Sequence, residues 1–510
     1  MRFTKLLSPF LFSLSSVISI YTFASVISSP DQMVRVMIFY LIILIALIYP
    51  AYWLTNNWDW TGILLALVAI SFLSSPAIFR AQVTIVIALF VIWFAYLYIK
   101  KIRLRIYHVI ASLNLSGGAF LVLVTSTLFK QMSVMPINDF PQFYWQERTL
   151  VAQLSIPDKL PDIYYIVLDG YGRADILQDY FEYDNSDFLG QLRNRGFIVP
   201  NNAHSNYPKT ILSIPSTLNM NYISEMAPQL GDSGSYYWWL MRPMVMYSDV
   251  RVLLEDIGYR SYSVTTGWGP TDNPTTDIYY QPAPIVISDL ETVVLSDTPL
   301  RSISSLLSKF SYVPSFAAHH DLVLFNFSSI IATSKDKGPK FFFAHIISPH
   351  PPFVFDEDGE LLTPKYNYSF SDASDIDITD EEYRESYVSQ VKFVNKKIIT
   401  LVDEIIKNSD VPPIIILQAD HGPGSMTDFA SSENTCLRER YSIFAAYYLP
   451  GADQTVIPDD LTPVNLFRIV FNEYFGTNYS LLPNKHYYVD GVYLYKGEDV
   501  SSNIDTCSVR

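Results

Sequence analysis

The feature that most constrains this chain is a series of five apolar runs before residue 130. They span roughly 9–28, 36–54, 61–78, 82–99 and 106–129. A helix needs about 20 predominantly apolar residues to cross a bilayer, and each run meets or approaches that length. The first run follows Arg2 and Lys5 and could pass for a signal peptide, but four more runs follow at once. The pattern therefore predicts a polytopic helical membrane domain over residues 1–130.

Lys and Arg residues are placed asymmetrically around these runs. A basic cluster at 100–105 follows the fourth run, and Arg2 and Lys5 precede the first, whereas the predicted outer loops hold only Arg35 and Arg80. The positive-inside rule places the N-terminus and the cluster in the cytoplasm. Five spans then leave residues 131–510 outside the cytoplasmic membrane. Almost no ionisable residue lies within the runs, which disfavours a transporter.

The charge of the remaining chain excludes one class of partner. Residues 1–130 contain nine of the 35 Lys/Arg and two of the 50 Asp/Glu, so 131–510 holds 26 basic and 48 acidic residues, a formal charge of −22. Nucleic-acid binding needs a basic footprint, so it is not expected. The two cysteines, Cys436 and Cys507, form no CxxC pair. In an extracytoplasmic domain they are candidates for one disulfide, although their spacing does not decide it.

After residue 130 the sequence predicts a linker and then one large layered domain. Residues 131–160 read as a proline-containing linker, with a helix expected near 144–154. In 161–510, continuous apolar runs typical of strands covered on both faces occur at Ile163–Leu168, Phe341–Ile347 and Ile414–Leu417. Helical patterns lie between them at Phe188–Arg195, Val250–Ile257 and about Glu381–Lys407. This alternation predicts an α/β domain with a mostly parallel central sheet.

Each of the three predicted strands ends in residues suited to bind a metal or transfer a proton. Asp169 follows the first, His350 the second, and Asp420 with His421 the third. In parallel sheets ligands bind at the carboxyl ends of the strands, so these side chains are expected to meet. Their mixed oxygen and nitrogen donors suit zinc or manganese, with calcium and magnesium as alternative divalent ions.

Residues 207–218 offer a nucleophile. Pro215 suits the first position of a helix, with Ser213 or Ile214 near its cap. Thr210 would then lie just before a helix N-terminus, where free N–H groups favour an anion, and a metal there could activate its hydroxyl. An ordinary helix start rich in Ser and Thr explains the same residues, so both interpretations stay open on this evidence.

The order of these motifs resembles the sulfatase-like branch of the alkaline phosphatase superfamily. Five spans before such a domain resemble the lipoteichoic acid synthases and the phosphoethanolamine transferases. The resemblance implies that Thr210 is the nucleophile, that Asp169, Asp420 and His421 bind the metal with Thr210 completing the shell, and that His350 contacts the substrate or leaving group.

Two departures from the family pattern bear on the chemistry. Thr217 stands where the formylglycine motif of true sulfatases has Arg, so the formylglycine route is not expected. Phosphoethanolamine transferases carry a further His about a dozen residues after Asp-His-Gly, whereas none occurs here between His421 and His486. A second metal and that particular substrate are therefore disfavoured.

Together these features predict a multi-pass protein of the cytoplasmic membrane. Its expected activity is metal-dependent hydrolysis or transfer of phosphate esters, or alternatively sulfate esters, of a lipid-linked or glycan substrate at the membrane surface. His204, Lys209 and Arg173 are further candidates to contact a charged substrate, and His345 is interpreted as a core residue. The alternatives are a formylglycine-independent sulfatase-like hydrolase and a non-catalytic envelope-assembly protein that retains the fold.

Overall fold

The computed structural model describes most of both predicted domains. The described residues are 3–24, 30–72, 76–99, 105–132, 154–226, 241–282, 290, 291, 294, 315–372, 376–490, 494 and 496–507. The chain divides into two compact units: Met1–Ile137 with Ala283–Val313, and Asn138–Pro282 with Pro314–Arg510. The helix expected near 144–154 lies almost entirely outside the described residues.

The first unit contains one helix for each predicted apolar run. The five helices are α1 (Leu7–Ala24), α2 (Pro30–Thr55), α3 (Trp58–Phe72), α4 (Pro76–Ile99) and α5 (Ile106–Met132). Two stretches, Gln32–Thr55 of α2 and Ile106–Lys130 of α5, are long and apolar enough to cross a membrane, and the apolar stretches of the other three helices are shorter. Two crossing helices are thus supported by length and composition, and five spans remain a prediction.

Close packing of small residues joins α1 to its neighbours. A Cβ atom at Gly117 of α5 would lie 2.9 Å from the Cβ of Leu11, so the glycine allows the two helices to approach. Gln82 of α4 donates a hydrogen bond of 2.8 Å to the Ser16 hydroxyl of α1. Such interhelical contacts are typical of helices that associate without a strong hydrophobic driving force.

The second unit is an α/β domain with a six-stranded sheet. Its strands are β1 (Ile163–Leu168), β2 (Arg260–Val264), β3 (Ile278–Tyr280), β4 (Lys340–Ile346), β5 (Ile414–Gln418) and β6 (Ala445–Tyr448). The order is β3-β2-β4-β1-β5-β6. All neighbouring strands are parallel except β5 and β6, which are antiparallel. The predicted mostly parallel sheet is confirmed.

Helices cover this sheet and a small hairpin follows it. They are α6 (Ala174–Phe181), α7 (Ser186–Asn194), α8 (Thr210–Leu218), α9 (Ile223–Met226), α10 (Arg242–Met246), α11 (Asp249–Asp256), α12 (Phe316–Thr333), α13 (Asp380–Asn408), α14 (Leu437–Tyr441) and α15 (Pro463–Phe475). The hairpin consists of β7 (Tyr487–Tyr488) and β8 (Glu498–Asp499). Among the described residues, short 3-10 helices occur at Phe3–Lys5 and Ser501–Asn503.

The three strands that the sequence predicted form the centre of the sheet. β1, β4 and β5 are buried along their whole length, because helices cover both faces of a parallel sheet. β1 pairs in register with both of the others. The three predicted helical patterns correspond to α7, α11 and α13, each with bounds within one or two residues of the expectation.

A disulfide joins the C-terminal segment to the start of α14. Cys436 and Cys507 are bonded with an S–S distance of 2.03 Å and a sequence separation of 71. Thr506 accepts a hydrogen bond from the backbone N–H of Arg438 in the same region. The disulfide that the spacing of the cysteines could not decide is therefore present.

Candidate active site

Three neighbouring strands deliver the predicted metal ligands to one edge of the sheet. Asp169 directly follows β1, His350 comes four residues after β4, and Asp420 comes two residues after β5. The backbone N–H of His350 donates to the carbonyl of Asp169 at 2.9 Å, which joins the first two segments. Because parallel strands end on the same side, the structure brings together the residues that the sequence singled out.

Asp169 belongs to two buried groups that could hold a divalent cation: its ligand atoms lie within 4.8 Å of those of His350 and His421, and of those of His345 and Asp420. The Nε2 atom of His421 lies 3.4 Å from Oδ1 of Asp169 and 3.4 Å from Oδ2 of Asp420. Both carboxylate oxygens are buried and have no hydrogen-bond partner among the described residues. Buried polar atoms are almost always satisfied, and a buried carboxylate oxygen that has no partner is costly. A bound divalent metal would satisfy both oxygens.

His421 keeps a lone pair on Nε2, which lies 3.1 Å from Oγ1 of Thr210 and 3.3 Å from Nη2 of Arg440. Its Nδ1 lies 2.9 Å from the carbonyl of Gly422, and a carbonyl only accepts, so the ring proton is on Nδ1. Burial and the neighbouring Arg440 lower the pKa of His421, although the two carboxylates oppose them. The neutral ring therefore directs the lone pair of Nε2 toward the carboxylates, the usual state of a metal-binding histidine.

Thr210 stands at the first position of α8 and faces the same point. Its Oγ1 lies 3.1 Å from Nε2 of His421, and the side chain is buried. The first turn of a helix has free N–H groups and a positive dipole end, which stabilise an anion. The arrangement therefore offers a hydroxyl beside the candidate ligands at a position that favours its alkoxide.

The prediction that Pro215 is the first residue of this helix is wrong. α8 begins at Thr210 and Pro215 lies inside it. The carbonyl of Lys209 accepts hydrogen bonds from the N–H groups of both Leu212 and Ser213, so the helical turn closes before the proline. Pro215 loses one intrahelical bond, and the burial of all nine residues of α8 offsets that cost. Thr210 is consequently part of the helix rather than just before it.

The hydroxyl of Ser213, three residues after Thr210, already makes a hydrogen bond. Its Oγ donates a hydrogen bond of 2.7 Å to the carbonyl of Asp420. The serine therefore holds α8 against the segment after β5, and its hydroxyl proton is used in that contact.

His350 lies among carboxylates on the other side of the site. Its Nδ1 donates to the carbonyl of Pro351 at 2.6 Å, and its Nε2 lies 3.6 Å from Oδ2 of Asp372. Burial alone would lower the pKa of His350, but Asp169 and Asp372 outweigh it and raise the pKa. The protonated ring is thus favoured, which suits a proton donor.

Sequence analysis interpreted His345 as a core residue and did not identify Asp372, although both lie near the site. His345, interpreted as a core residue, is fully buried, and its Nε2 lies 3.1 Å from Oδ2 of Asp169 while its Nδ1 contacts the Thr271 hydroxyl at 2.9 Å. Burial disfavours the charge of Asp169, but His350, the hydrogen bond from His345 and His421 together lower its pKa. Asp372 has no motif around it. Only His345 had a signal, a histidine inside a continuous apolar strand.

The remaining substrate-contact candidates separate into two places. Lys209 directly precedes Thr210, and its Nζ lies 5.2 Å from the centre of the Phe429 ring. Arg173 and His204 instead contact each other at 3.2 Å. Arg173 also pairs with Asp175 at 2.6 Å, and His204 lies 3.5 Å from a carboxylate oxygen of Asp505. Burial and Arg173 lower the pKa of His204 to about 4, so His204 is neutral near pH 7, and the charge of Arg173 is paired with Asp175.

Helix α13 holds the segments that carry the candidate ligands. The Tyr387 hydroxyl donates to the carbonyl of Gly170 at 2.8 Å and accepts from the N–H of Gly172 at 3.0 Å. Gln390 donates to the carbonyls of Pro349 and His350. These contacts show that the helix supports the segments on which the candidate ligands lie.

Comparison with known proteins gives a family match and several distant structural likenesses. The family model described as Sulfatase matches residues 161–470. No curated protein sequence matches the chain.

Three solved structures illustrate the structural likenesses. The C-terminal periplasmic domain of EcEptC from Escherichia coli, in complex with zinc, is 10% identical, with 69% of this chain and 95% of that chain covered and a TM-score of 0.44. The soluble domain of lipooligosaccharide phosphoethanolamine transferase A from Neisseria meningitidis is 12% identical, with 63% and 90% covered and a TM-score of 0.39. A Bacteroides thetaiotaomicron protein of glycosaminoglycan metabolism is 14% identical, with 66% and 83% covered and a TM-score of 0.40. Likenesses this distant carry no argument about the substrate of this chain.

Proposed function

Because this chain belongs to the sulfatase family, within the alkaline phosphatase superfamily, we propose that it hydrolyses or transfers phosphate esters of envelope lipids or glycans through Thr210. The family match makes it a sulfatase-like hydrolase or phosphotransferase. The observation that carries the proposal is the Thr210 hydroxyl, 3.1 Å from Nε2 of His421 at a helix N-terminus. It lies beside the candidate metal site, whose two carboxylate oxygens have no described partner.

The candidate ligands would hold one divalent ion, with zinc or manganese favoured by the mixed oxygen and nitrogen donors. Asp169, Asp420 and His421 would supply three ligand atoms, and Thr210 would complete the shell. When bound, the ion supplies Lewis-acid chemistry, which lowers the pKa of a hydroxyl and neutralises charge on an ester oxygen.

The residues of the chain then carry two steps. Oγ1 of Thr210, having released its proton to water, attacks phosphorus, and the bond from phosphorus to the leaving oxygen breaks. His350 donates a proton to that oxygen, consistent with its raised pKa, and a phosphothreonine forms. Water or an acceptor hydroxyl next gives its proton to the neutral His350 and attacks the phosphothreonine, and the bond from phosphorus to Oγ1 of Thr210 breaks. The positive charge of Lys209 and the N–H groups at the start of α8 stabilise the phosphoryl oxygens.

The predicted membrane domain supports the substrate class. Five spans would make the protein a multi-pass protein of the cytoplasmic membrane, with the catalytic domain of residues 161–510 outside and joined to the membrane domain of residues 1–130 by the linker of residues 131–160. Attachment to a membrane domain would favour a lipid-linked substrate or an envelope glycan. A phosphate ester is favoured over a sulfate ester because Thr217 replaces the Arg of the formylglycine motif.

A comparison of Thr210→Ala with Ser213→Ala tests the nucleophile. Mass spectrometry of the purified full-length protein, after exposure to membrane lipids, should find a modified Thr210 in the wild type and none in Thr210→Ala. Loss of a nucleophile that acts together with its metal commonly costs several orders of magnitude in rate. Ser213→Ala removes the hydrogen bond to the carbonyl of Asp420, which costs about 1–3 kcal/mol of stability, but leaves the adduct and the turnover.

The opposite results would contradict the proposal. If Thr210→Ala hydrolyses a phosphodiester as fast as the wild type, Thr210 is not the nucleophile. Faster turnover of a sulfate monoester than of a phosphodiester would favour the sulfatase-like hydrolase. A wild-type protein that binds metal, turns over neither ester and forms no adduct would favour the non-catalytic envelope-assembly protein.

A further inference from the structure

Arg440 of α14 is a buried arginine with four polar contacts. Its Nε donates to the carbonyl of Pro208 at 2.8 Å, and its Nη1 donates to Oδ2 of Asp372 at 2.8 Å and to the carbonyl of Gly422 at 3.2 Å. Its Nη2 lies 3.3 Å from Nε2 of His421. A guanidinium at 2% exposure needs such partners, since a buried charge is costly unless it is paired and hydrogen-bonded.

The partners of Arg440 belong to the separate segments that carry the site. Pro208 comes two residues before Thr210, and Gly422 directly follows His421. Asp372 lies 3.6 Å from Nε2 of His350. One side chain therefore connects the nucleophile segment, a candidate metal ligand and the carboxylate beside the proton donor.

Asp372, which pairs with Arg440, has a hydrogen bond to each of its carboxylate oxygens. Its Oδ1 accepts a hydrogen bond of 2.7 Å from the Tyr383 hydroxyl, and its Oδ2 receives the contact from Arg440. A Cβ atom at Gly424 would lie 2.2 Å from Oδ2 of Asp372 and 2.9 Å from Nη1 of Arg440. A side chain at position 424 would clash with this pair, so the Asp-His-Gly-Pro-Gly segment needs glycine there.

Arg440 has little capacity left to bind a substrate. All three of its nitrogens already face protein atoms, and the ring of Phe429 lies 5.3 Å from its Cζ. Arginines that recognise phosphate present two parallel N–H groups to the anion, whereas four of the five N–H groups of Arg440 already have protein partners. We infer that Arg440 and Asp372 form a positioning pair, which fixes Thr210 relative to His421 and does not contact the ester. This inference rests on the proposed function of Thr210.

The variant Arg440→Lys tests the pair in the full-length protein. A lysine is a single point charge and cannot reproduce the fork of an arginine. Loss of a residue that orients metal ligands typically costs about 10- to 100-fold in metal affinity or activity. We expect the Kd for Zn²⁺ or Mn²⁺, measured by calorimetry, to rise by about 10-fold or more, and kcat for a phosphodiester to fall by a similar factor. The KM and the inhibition constant for inorganic phosphate should change by less than about threefold, because Arg440 does not touch the ester.

Two further variants disturb the same pair without removing the arginine. Asp372→Asn keeps the size of the side chain and removes its charge, and Gly424→Ala displaces Asp372 while leaving its charge in place. Both should repeat the pattern of Arg440→Lys, and they carry the test if that variant does not fold. The matched control is Arg195→Lys, since Arg195 pairs with Asp403 through Nε at 2.6 Å and Nη2 at 2.9 Å outside the site, and it should behave as the wild type.

Two results would overturn the inference. A rise of about 30-fold or more in the inhibition constant for phosphate, with kcat little changed, would mean that Arg440 binds the ester. A lower melting temperature with unchanged metal affinity and kcat would mean that the pair only stabilises the fold. If the wild type turns over no ester, the proposed function fails, whereas the comparison of metal affinities still tests the pair.

Discussion

The substitution Asp420→Asn is expected to remove the response of the protein to metal. In the wild type, Oδ1 of Asp420 accepts a hydrogen bond of 3.2 Å from the N–H of Gly170, while Oδ2 has no partner among the described residues and lies 3.4 Å from Nε2 of His421. Asparagine keeps the shape and the first hydrogen bond. The substitution also removes the negative charge. With Oδ1 kept in place, the amide N–H group takes the position of Oδ2, the candidate metal ligand.

The size of the effect follows from two opposing charges in the site. Ligand oxygens of Asp169 and Asp420 lie within 4.8 Å of one another, and two like charges at that distance repel by about 3 kcal/mol at an effective dielectric constant near 20. Without metal, Asp420→Asn relieves this repulsion and should be more stable than the wild type by up to that amount. Metal at about 1,000 times its Kd stabilises a protein by roughly 4 kcal/mol, and only the wild type should gain it.

Thermal unfolding of the detergent-solubilised full-length protein measures both effects. At about 2 °C per kcal/mol, the wild type should melt roughly 8 °C higher in Zn²⁺ or Mn²⁺ than in a chelator, and Asp420→Asn should shift little. Elemental analysis of the two proteins should differ by one ion. Asp403→Asn, which changes an exposed carboxylate outside the site, is the matched control and should respond to metal as the wild type does.

Equal metal content and equal metal shifts in the wild type and Asp420→Asn would remove Asp420 from the site. A variant that is several degrees less stable than the wild type in chelator would show that the two carboxylates do not repel each other as the geometry requires. Either result would refute the reasoning from the carboxylate oxygens without described partners.

Three further predictions concern topology, stability and pH. A reporter that is active only in the cytoplasm should be silent when fused after residue 510, and strong activity would contradict the predicted orientation. The variant Cys436→Ser/Cys507→Ser, which opens a loop of 71 residues, should lose about 4 kcal/mol of unfolding free energy in urea melts, and an unchanged midpoint would contradict this. Burial raises the pKa of Glu439 to about 7, so the folded protein keeps a proton that the unfolded chain loses near pH 4.5. The contribution of Glu439 to stability should therefore fall by up to about 3 kcal/mol as pH rises from 4.5 to 7, and urea melts of the wild type and Glu439→Gln at pH 5 and 7.5 should differ by that contribution.

Much of the fold was predictable because its signals are local. Burial on both faces requires an apolar residue at nearly every position of a central parallel strand. β1, β4 and β5 could therefore be recognised in the sequence as continuous apolar runs. Amphipathic periodicity indicated α7, α11 and α13 in the same way. The short strands β2, β3 and β6 carry Arg, Ser and Tyr residues that break such a run, and only their pairing with neighbouring strands identifies them.

By itself, the sequence determined the class of each part of the molecule and the residue types at the ends of the central strands. The side of the sheet on which Asp169, His350, Asp420 and His421 meet follows from parallel pairing alone. Tertiary structure decided the remainder. The start of α8 depends on which carbonyl closes its first turn, and the roles of Asp372 and Arg440 depend on contacts between residues 68 positions apart. Spacing along the chain does not encode such contacts, because the packing of the whole domain brings those segments together.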